Sequence, residues 1–364
     1  MSQRTICFFC GDVTRCGGTE RASTMVANLL HRHGLHRVIF LSLAEQDSGP
    51  FFPLDKGIIR CRLGDARIDP GPGYLKILPK LRKFLKSRHV DVIIDADIVL
   101  DCLSLPASAG LHTRVISWEQ FNYQFEESVL YRRLILKYLT RRSDYIITLT
   151  DKDREEYVRR LKRLDRIRAI GNPMEEPAFL PENKKEKWII TVGRLAPEKG
   201  LNHLLEVARR VLKKHSDWQW LLLGEGEMRT SLEDGIRGGQ LEGRLILKGR
   251  VKDVDGCLRR SRIYVMTSRY EGLGICLLEA KAHGLPCVAF DVPTGPAELI
   301  ADGTNGYLIP AFSCDGMAEK ISRLIEDAEL RERFSLNAGV GTEKYRPDFV
   351  LAQWNQVIES ITSK

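Results

Sequence analysis

The chain has 364 residues, 43% of them hydrophobic and 29% charged, with a formal net charge of +8. That is long enough for two domains with sizeable cores, and the balance excludes a disordered chain. No stretch approaches the roughly 18 uninterrupted apolar residues of a membrane-spanning helix, and Met1-Ser2-Gln3-Arg4 leads into a strand-like run without the apolar centre of a signal peptide. The expected location is the cytoplasm, with peripheral attachment to the inner face of the cell membrane as its one extension.

In chain order, β-branched apolar runs predict strands at Thr5–Cys10, Arg37–Leu41, Val90–Asp95, Arg114–Trp118 and Tyr145–Thr150. A second series follows at Trp188–Val192, Trp218–Leu223, Arg244–Lys248, Ile263–Thr267, Pro286–Phe290 and Gly306–Leu308. These runs are continuous rather than alternating, as in strands buried on both faces of a parallel sheet. Helical patterns lie between them, so the β-α alternation occurs twice, and two doubly wound α/β domains are expected. The boundary is placed at Glu175–Lys187, where Pro177, Pro181 and a charged run make a linker. This gives domains at 1–175 and 187–345. Val350, Trp354, Val357, Ile358 and Ile361 have the spacing of an amphipathic helix at the C-terminal end.

The nine cysteines are scattered. Cys61, Cys102, Cys276 and Cys287 sit in apolar runs, which predicts buried, reduced thiols rather than a disulfide framework. Cys7 and Cys10 form a C-x-x-C, but on a strand they point to opposite faces, and no second pair completes a zinc site. Core packing is their expected role.

Three segments carry chemistry. Cys16-Gly17-Gly18-Thr19-Glu20-Arg21 follows the first strand and opens a helix. Its glycines would let a ligand approach the backbone and the helix amides, or they make a tight turn with no ligand. Val192-Gly193-Arg194-Leu195-Ala196-Pro197-Glu198-Lys199-Gly200 places two cations on a loop before a helix, either as an anion site or as solvated surface charges. Neither segment is a dinucleotide fingerprint or a Walker loop. In Ser268-Arg269-Tyr270-Glu271-Gly272-Leu273-Gly274-Ile275-Cys276-Leu277-Leu278-Glu279-Ala280, Glu271 lies just past a strand and Glu279 sits inside an apolar helix. A carboxylate there needs partners. Sugar or ribose hydroxyls would serve. So would a helix dipole for Glu271 and an arginine for Glu279.

Together with Gly171-Asn172-Pro173 and Pro293-Thr294-Gly295-Pro296-Ala297-Glu298-Leu299-Ile300, these segments resemble the retaining glycosyltransferases of family 4 over nearly the whole chain, most closely from Trp188 to Pro310. The resemblance implies the α/β GT-B fold, with two facing Rossmann-like domains and a central cleft. The first domain would take the acceptor and the second the nucleotide sugar, with a last helix, about 346–364, crossing back to the first. Arg194 and Lys199 would hold the donor diphosphate, Glu279 the ribose and Glu271 the donor sugar, beside Gly272, Leu273 and Gly274. The main chain at Arg250 and Val251 would lie near the base, and Gly17 and Gly18 would close on the diphosphate. The same resemblance puts Glu119 and Gln120 on the acceptor and sugar side. Many relatives carry a histidine where this chain has Gln120, and an amide cannot carry charge near neutral pH. The implied enzyme is a hexosyltransferase type, metal-independent and without a cofactor, since the nucleotide sugar, UDP-linked rather than GDP-linked, is a substrate. Asp95-Ala96-Asp97 could bind a metal in another fold, but here loop capping is the expected use.

The first 180 residues carry seven of the eight surplus positive charges. Tyr74–Lys86 pairs an apolar line of Leu78, Leu81 and Leu85 with a cationic face. It is either a helix packed on its sheet with a solvated face, or an amphipathic helix lying on an anionic membrane surface. Nucleic acid is excluded as a partner for want of an aromatic-interleaved motif. The expected acceptor is a lipid-linked glycan of capsule, exopolysaccharide or lipopolysaccharide type. A GT-B sugar-nucleotide epimerase and a non-catalytic nucleotide-sugar or glycan-binding protein are the alternatives.

Overall fold

A computed structural model describes residues 3–64, 72–174 and 185–363. All but the last three residues of the expected linker lie outside this set. The chain divides into two compact units, Met1–Pro173 with Tyr345–Lys364, and Met174–Lys344.

Unit 1 is built on a parallel sheet of β1 (Arg4–Cys10), β2 (His36–Ser42), β3 (Ile59–Arg62), β4 (Val92–Asp95), β5 (Arg114–Trp118), β6 (Tyr145–Thr148) and β7 (Ile167–Ala169). Their spatial order is β3-β2-β1-β4-β5-β6-β7. Its helices are α1 (Gly18–Arg32), α2 (Pro72–Ser87), α3 (Asp101–Ser108), α4 (Tyr123–Ser128), α5 (Leu130–Tyr138) and α6 (Asp151–Leu161). Unit 2 repeats the plan with β8 (Trp188–Val192), β9 (Gln219–Leu223), β10 (Leu245–Gly249), β11 (Ile263–Met266), β12 (Cys287–Asp291) and β13 (Gly306–Pro310). Their order is β10-β9-β8-β11-β12-β13, again all parallel. Its helices are α7 (Leu201–Lys214), α8 (Arg229–Gly238), α9 (Val254–Arg260), α10 (Ile275–Ala282), α11 (Pro296–Leu299), α12 (Cys314–Glu326) and α13 (Ala328–Leu336). The final helix, α14 (Pro347–Thr362), belongs to unit 1.

Both units are therefore Rossmann-like α/β layers, and every expected strand is present within two residues of its expected ends. Two further strands, β3 and β7, form the sheet edges in unit 1. Their sequences, Ile-Arg-Cys-Arg and Ile-Arg-Ala, carry arginines because an edge strand is half solvated, so neither reads as a buried run. The alternation follows from burial. In α7, Leu201, Leu204, Val207, Ala208, Val211 and Leu212 all face the sheet. Each leucine or valine so buried contributes about 1.5–3 kcal/mol.

The structure corrects the reading of the cysteines and shows how helices α2 and α14 are used. In α2, Ile77, Leu81 and Leu85 are core residues and Leu78 packs against them, so its apolar face is used within unit 1 and is not available to a membrane. The solvated face of α2 carries Lys76, Lys80, Arg82, Lys83 and Lys86. Among the cysteines expected to be buried, Cys61, Cys102 and Cys276 are only half-buried, as is Cys257, and Cys16 is exposed; Cys7, Cys10, Cys287 and Cys314 are the buried ones. Trp354 of α14 is fully buried against Trp118 at 5.0 Å and Phe8 at 6.4 Å, so that helix is part of the unit 1 core.

Candidate active site

In each sheet the chain order reverses between the first and fourth strands of the unit, β1/β4 and β8/β11. Loops leaving the carboxyl ends of such strands diverge and leave room for a ligand. In unit 2 the loop after β8 carries Arg194 and Lys199, and the loop after β11 carries Ser268 and Glu271, so the topology alone brings two distant motifs together. Lys199 Nζ donates to Glu271 Oε1 at 2.7 Å, and Ser268 Oγ donates to the same oxygen at 2.6 Å. The two loops are also joined through backbone. Thr267 Oγ1 donates to the Lys199 carbonyl at 3.0 Å, and the Arg269 amide donates to the Glu198 carbonyl at 2.8 Å. Side chains at Lys199 and Glu271 are 27% and 10% exposed, which excludes simple solvated surface charges. Burial works against the Lys199 charge, but the Glu271 carboxylate outweighs it and holds the ammonium above its usual range.

Arg194 stands apart from this pair. It is more than half exposed and donates to Glu198 one turn on. Gly272 and Leu273 are buried in the turn before α10, and Gly274 caps that helix with φ +87°, a conformation that favours glycine. Thr294 Oγ1 donates to the Glu271 carbonyl and so pins the turn from the loop after β12. Glu279 is 9% exposed on α10. Arg250 is exposed and Val251 half-buried just past β10, two strands from β8.

One element of this site was not singled out in the sequence. Gly224-Glu225-Gly226, after β9, lies directly against the β8 loop. The Leu195 amide donates to the Glu225 carbonyl at 2.9 Å, and the Gly224 amide donates to the Gly249 carbonyl at 2.9 Å. A Cβ on Gly224 would lie 1.8 Å from the Gly193 carbonyl oxygen, and one on Gly226 would lie 2.3 Å from that of Leu195. The paired glycines after a strand were the available signal.

In unit 1, Gly17 is the N-cap of α1 in an extended conformation. The two glycines are not equivalent. The Glu20 carboxylate occupies the space where a Gly17 Cβ would go, 2.2 Å away, whereas nothing lies within 4 Å of a Cβ on Gly18. Only Gly18 offers open backbone. Burial raises the Glu20 carboxyl above its usual range.

At the end of β5, Glu119 is buried and both of its oxygens are engaged. Oε1 accepts the Phe121 amide at 2.7 Å and Oε2 accepts the Tyr157 hydroxyl. Burial pushes its carboxyl up to about 7. Glu119 therefore shapes the turn. Gln120 is 9% exposed and its Nε2 has no hydrogen-bond partner. Asp97 accepts the Val99 amide at 3.0 Å and pairs with Arg132 at 3.0 Å, while Asp95 accepts the Ser104 hydroxyl, so the Asp-x-Asp is used in capping and packing. Among the described residues, His203, Glu206 and Cys314 have metal-ligand proximity. Glu206 pairs with Arg210 at 3.0 Å, and burial pushes the Cys314 thiol up to about 11, so this group reads as packing.

Fold and site together define a GT-B type sugar-transferring enzyme class: two Rossmann-like units, with placed cations and carboxylates at a strand switch point in unit 2. The chain belongs to the glycosyltransferases. The glycosyltransferase family 4 model matches residues 16–176 and the glycosyl transferases group 1 model matches 174–339. An uncharacterized glycosyltransferase of Haemophilus influenzae is 30% identical over 98% of this chain and all of its own length. The amylovoran biosynthesis glycosyltransferase AmsD of Erwinia amylovora is 27% identical over 95% of this chain and 97% of its own. Among solved structures, S. aureus TarM, in complex with fondaparinux, alpha-GlcNAc-glycerol and UDP, aligns with a TM-score of 0.70 at 26% identity, over 78% of this chain and 59% of that one.

Proposed function

We propose that this chain is a retaining, metal-independent hexosyltransferase that moves a sugar from a UDP-sugar to a lipid-linked glycan acceptor in surface-polysaccharide biosynthesis. The observation that carries the reading is the Lys199–Glu271 pair at the β8/β11 switch point. It sets a cation for phosphate next to a carboxylate for hydroxyls. The likeness to AmsD supports a polysaccharide product, and UDP in the TarM complex supports the nucleotide. A lipid-pyrophosphate link on the acceptor, or an anionic membrane around it, is supported by the positive surplus of the first 180 residues.

On this reading the bond between sugar and diphosphate breaks while negative charge grows on the leaving phosphate. Lys199 and Arg194 offset that charge, aided by the amides at the start of α10. Arg194 can leave Glu198 for phosphate cheaply because its guanidinium is more than half exposed. Glu271, oriented by Lys199 and Ser268, accepts donor-sugar hydroxyls, and Glu279 accepts those of the ribose. Retention follows if the acceptor enters on the face from which the diphosphate leaves, with a phosphate oxygen taking its proton. Gln120 supplies a neutral donor to the sugar, so it adds no ionisation to the pH–rate profile.

The test is transfer from radiolabelled UDP-sugars with and without EDTA. Arg194→Ala, and Lys199→Gln, which keeps a donor for Glu271, are each expected to lower turnover by about 10²–10³-fold with unchanged circular dichroism. EDTA leaves the wild-type rate unchanged. Near-wild-type turnover in both variants overturns the diphosphate assignment, and loss of activity in EDTA overturns metal independence.

A further inference from the structure

Helix α5 presents an apolar stripe to solvent. Leu130, Tyr131, Leu134 and Tyr138 are 63%, 48%, 48% and 51% exposed, four large hydrophobic side chains in a nine-residue helix. Isolated exposed leucines need no explanation, but a contiguous stripe marks an interaction surface. At 100° per residue Leu130, Leu134 and Tyr138 share one face. Arg133 and Lys137 flank it on one side, and Arg141 and Arg142 follow in the short turn after the helix; all four are exposed.

The inward side fixes which face looks out. Arg132 is tied to Glu126 at 2.6 Å and to Asp97 at 3.0 Å, and Leu136 is buried one turn on. No Asp or Glu occurs between Ser128 and Ser143. Leucines and tyrosines bordered by cations form the pattern of a helix that lies in a lipid headgroup layer, where tyrosine rings sit at the polar boundary. A second copy of the same face would oppose like charges, and a nucleic acid would gain nothing from Leu130 and Leu134.

We propose that the exposed face of α5 docks unit 1 on an anionic phospholipid surface. The proposal rests on the lipid-linked acceptor reading for its purpose, since a lipid-anchored acceptor obliges the enzyme to work at a membrane. It places the contact on α5 instead of α2, whose apolar side is occupied. Each cation at such a surface strengthens binding about fivefold.

The experiment is co-sedimentation of the full chain with vesicles of phosphatidylcholine, with or without phosphatidylglycerol. Wild type is expected to bind only the anionic vesicles. The double variant Arg133→Glu, Lys137→Glu is expected to weaken that binding by at least about 25-fold, and Leu134→Ser, Tyr138→Ser to abolish insertion. The control Lys80→Glu, Lys83→Glu, on the solvated face of α2, is expected to bind as wild type does. No binding by wild type overturns the proposal. So does equal binding to neutral vesicles, or equal loss in the control. So does a dimer that dissociates in the Leu134→Ser, Tyr138→Ser variant while vesicle binding persists. Transfer to a water-soluble acceptor is expected to be unchanged in all α5 variants. A chain that docks but transfers nothing refutes the transferase reading and leaves the dock standing.

Discussion

Gly18 opens α1 and Gly224 follows β9, and only Gly224 is required by the packing around it. Gly224 adopts φ +142° and has a carbonyl oxygen where a Cβ would go, so Gly224→Ala is expected to cost about 3 kcal/mol or more, measured by urea denaturation. Gly18 has open space around it, so Gly18→Ala is expected to keep wild-type stability and to lower transfer only if a ligand comes close to that backbone. A melting curve and a rate assay on the same two variants separate the cases. Glu119 gives a prediction in pH. Its carboxyl is raised by burial from 4.5 to about 7 in the folded chain, so between those values the folded state holds a proton that the unfolded state has released. Stability from this group therefore falls as pH rises through that window. Glu119→Gln keeps an acceptor for the Phe121 amide and removes the titration, and it is expected to flatten stability against pH between about 5 and 7.

Among the elements, α14 shows how a distant stretch of sequence completes a core. Trp354 packs with Trp118 and Phe8, and His36 Nε2 lies 3.2 Å from Asn355 Oδ1. Trp354→Ala leaves a large cavity beside β1 and β5 and is expected to destabilise unit 1 by about 3–5 kcal/mol, read as an earlier unfolding transition with unit 2 unaffected in hydrogen exchange. Helices α2 and α5 make the opposite comparison. Both are basic and amphipathic, but α2 spends its leucines on the core while α5 turns Leu130, Leu134 and Tyr138 outward. The strands β1, β4, β5, β8, β9, β11 and β12 were legible because central parallel strands are apolar on both faces. The edge strands β3 and β7 were not, because arginines interrupt them.

For the whole molecule, the division of charge and chemistry follows the division into units. The proposed donor residues Arg194, Lys199, Glu271 and Glu279 all lie in unit 2, in the nearly neutral part of the chain. Ligand binding there is expected to raise the thermal midpoint in a concentration-dependent way, by about 2.7 kcal/mol of added stability at 100 times the Kd. UDP is expected to produce this shift and NAD is not. Hydrogen-exchange protection should concentrate in the loops after β8, β9 and β11. Equal protection by NAD would contradict the donor assignment.

The sequence by itself determined the class of fold, because continuous apolar runs alternating with helical spacing admit few arrangements other than parallel sheets covered by helices. It also exposed the motifs proposed to bind the donor, since glycines, cations and carboxylates next to strand ends are unusual enough to read locally. Only the tertiary structure decided how such residues are used. Lys199 and Glu271 are 72 residues apart, and their 2.7 Å pairing depends on the β8/β11 reversal. Tyr157 engages Glu119, and Arg132, held by Asp97 and Glu126, turns α5 so that Leu130 and Leu134 face out. Each of these depends on contacts between residues far apart in the chain or on how a helix is rotated against its sheet, and local pattern carries neither.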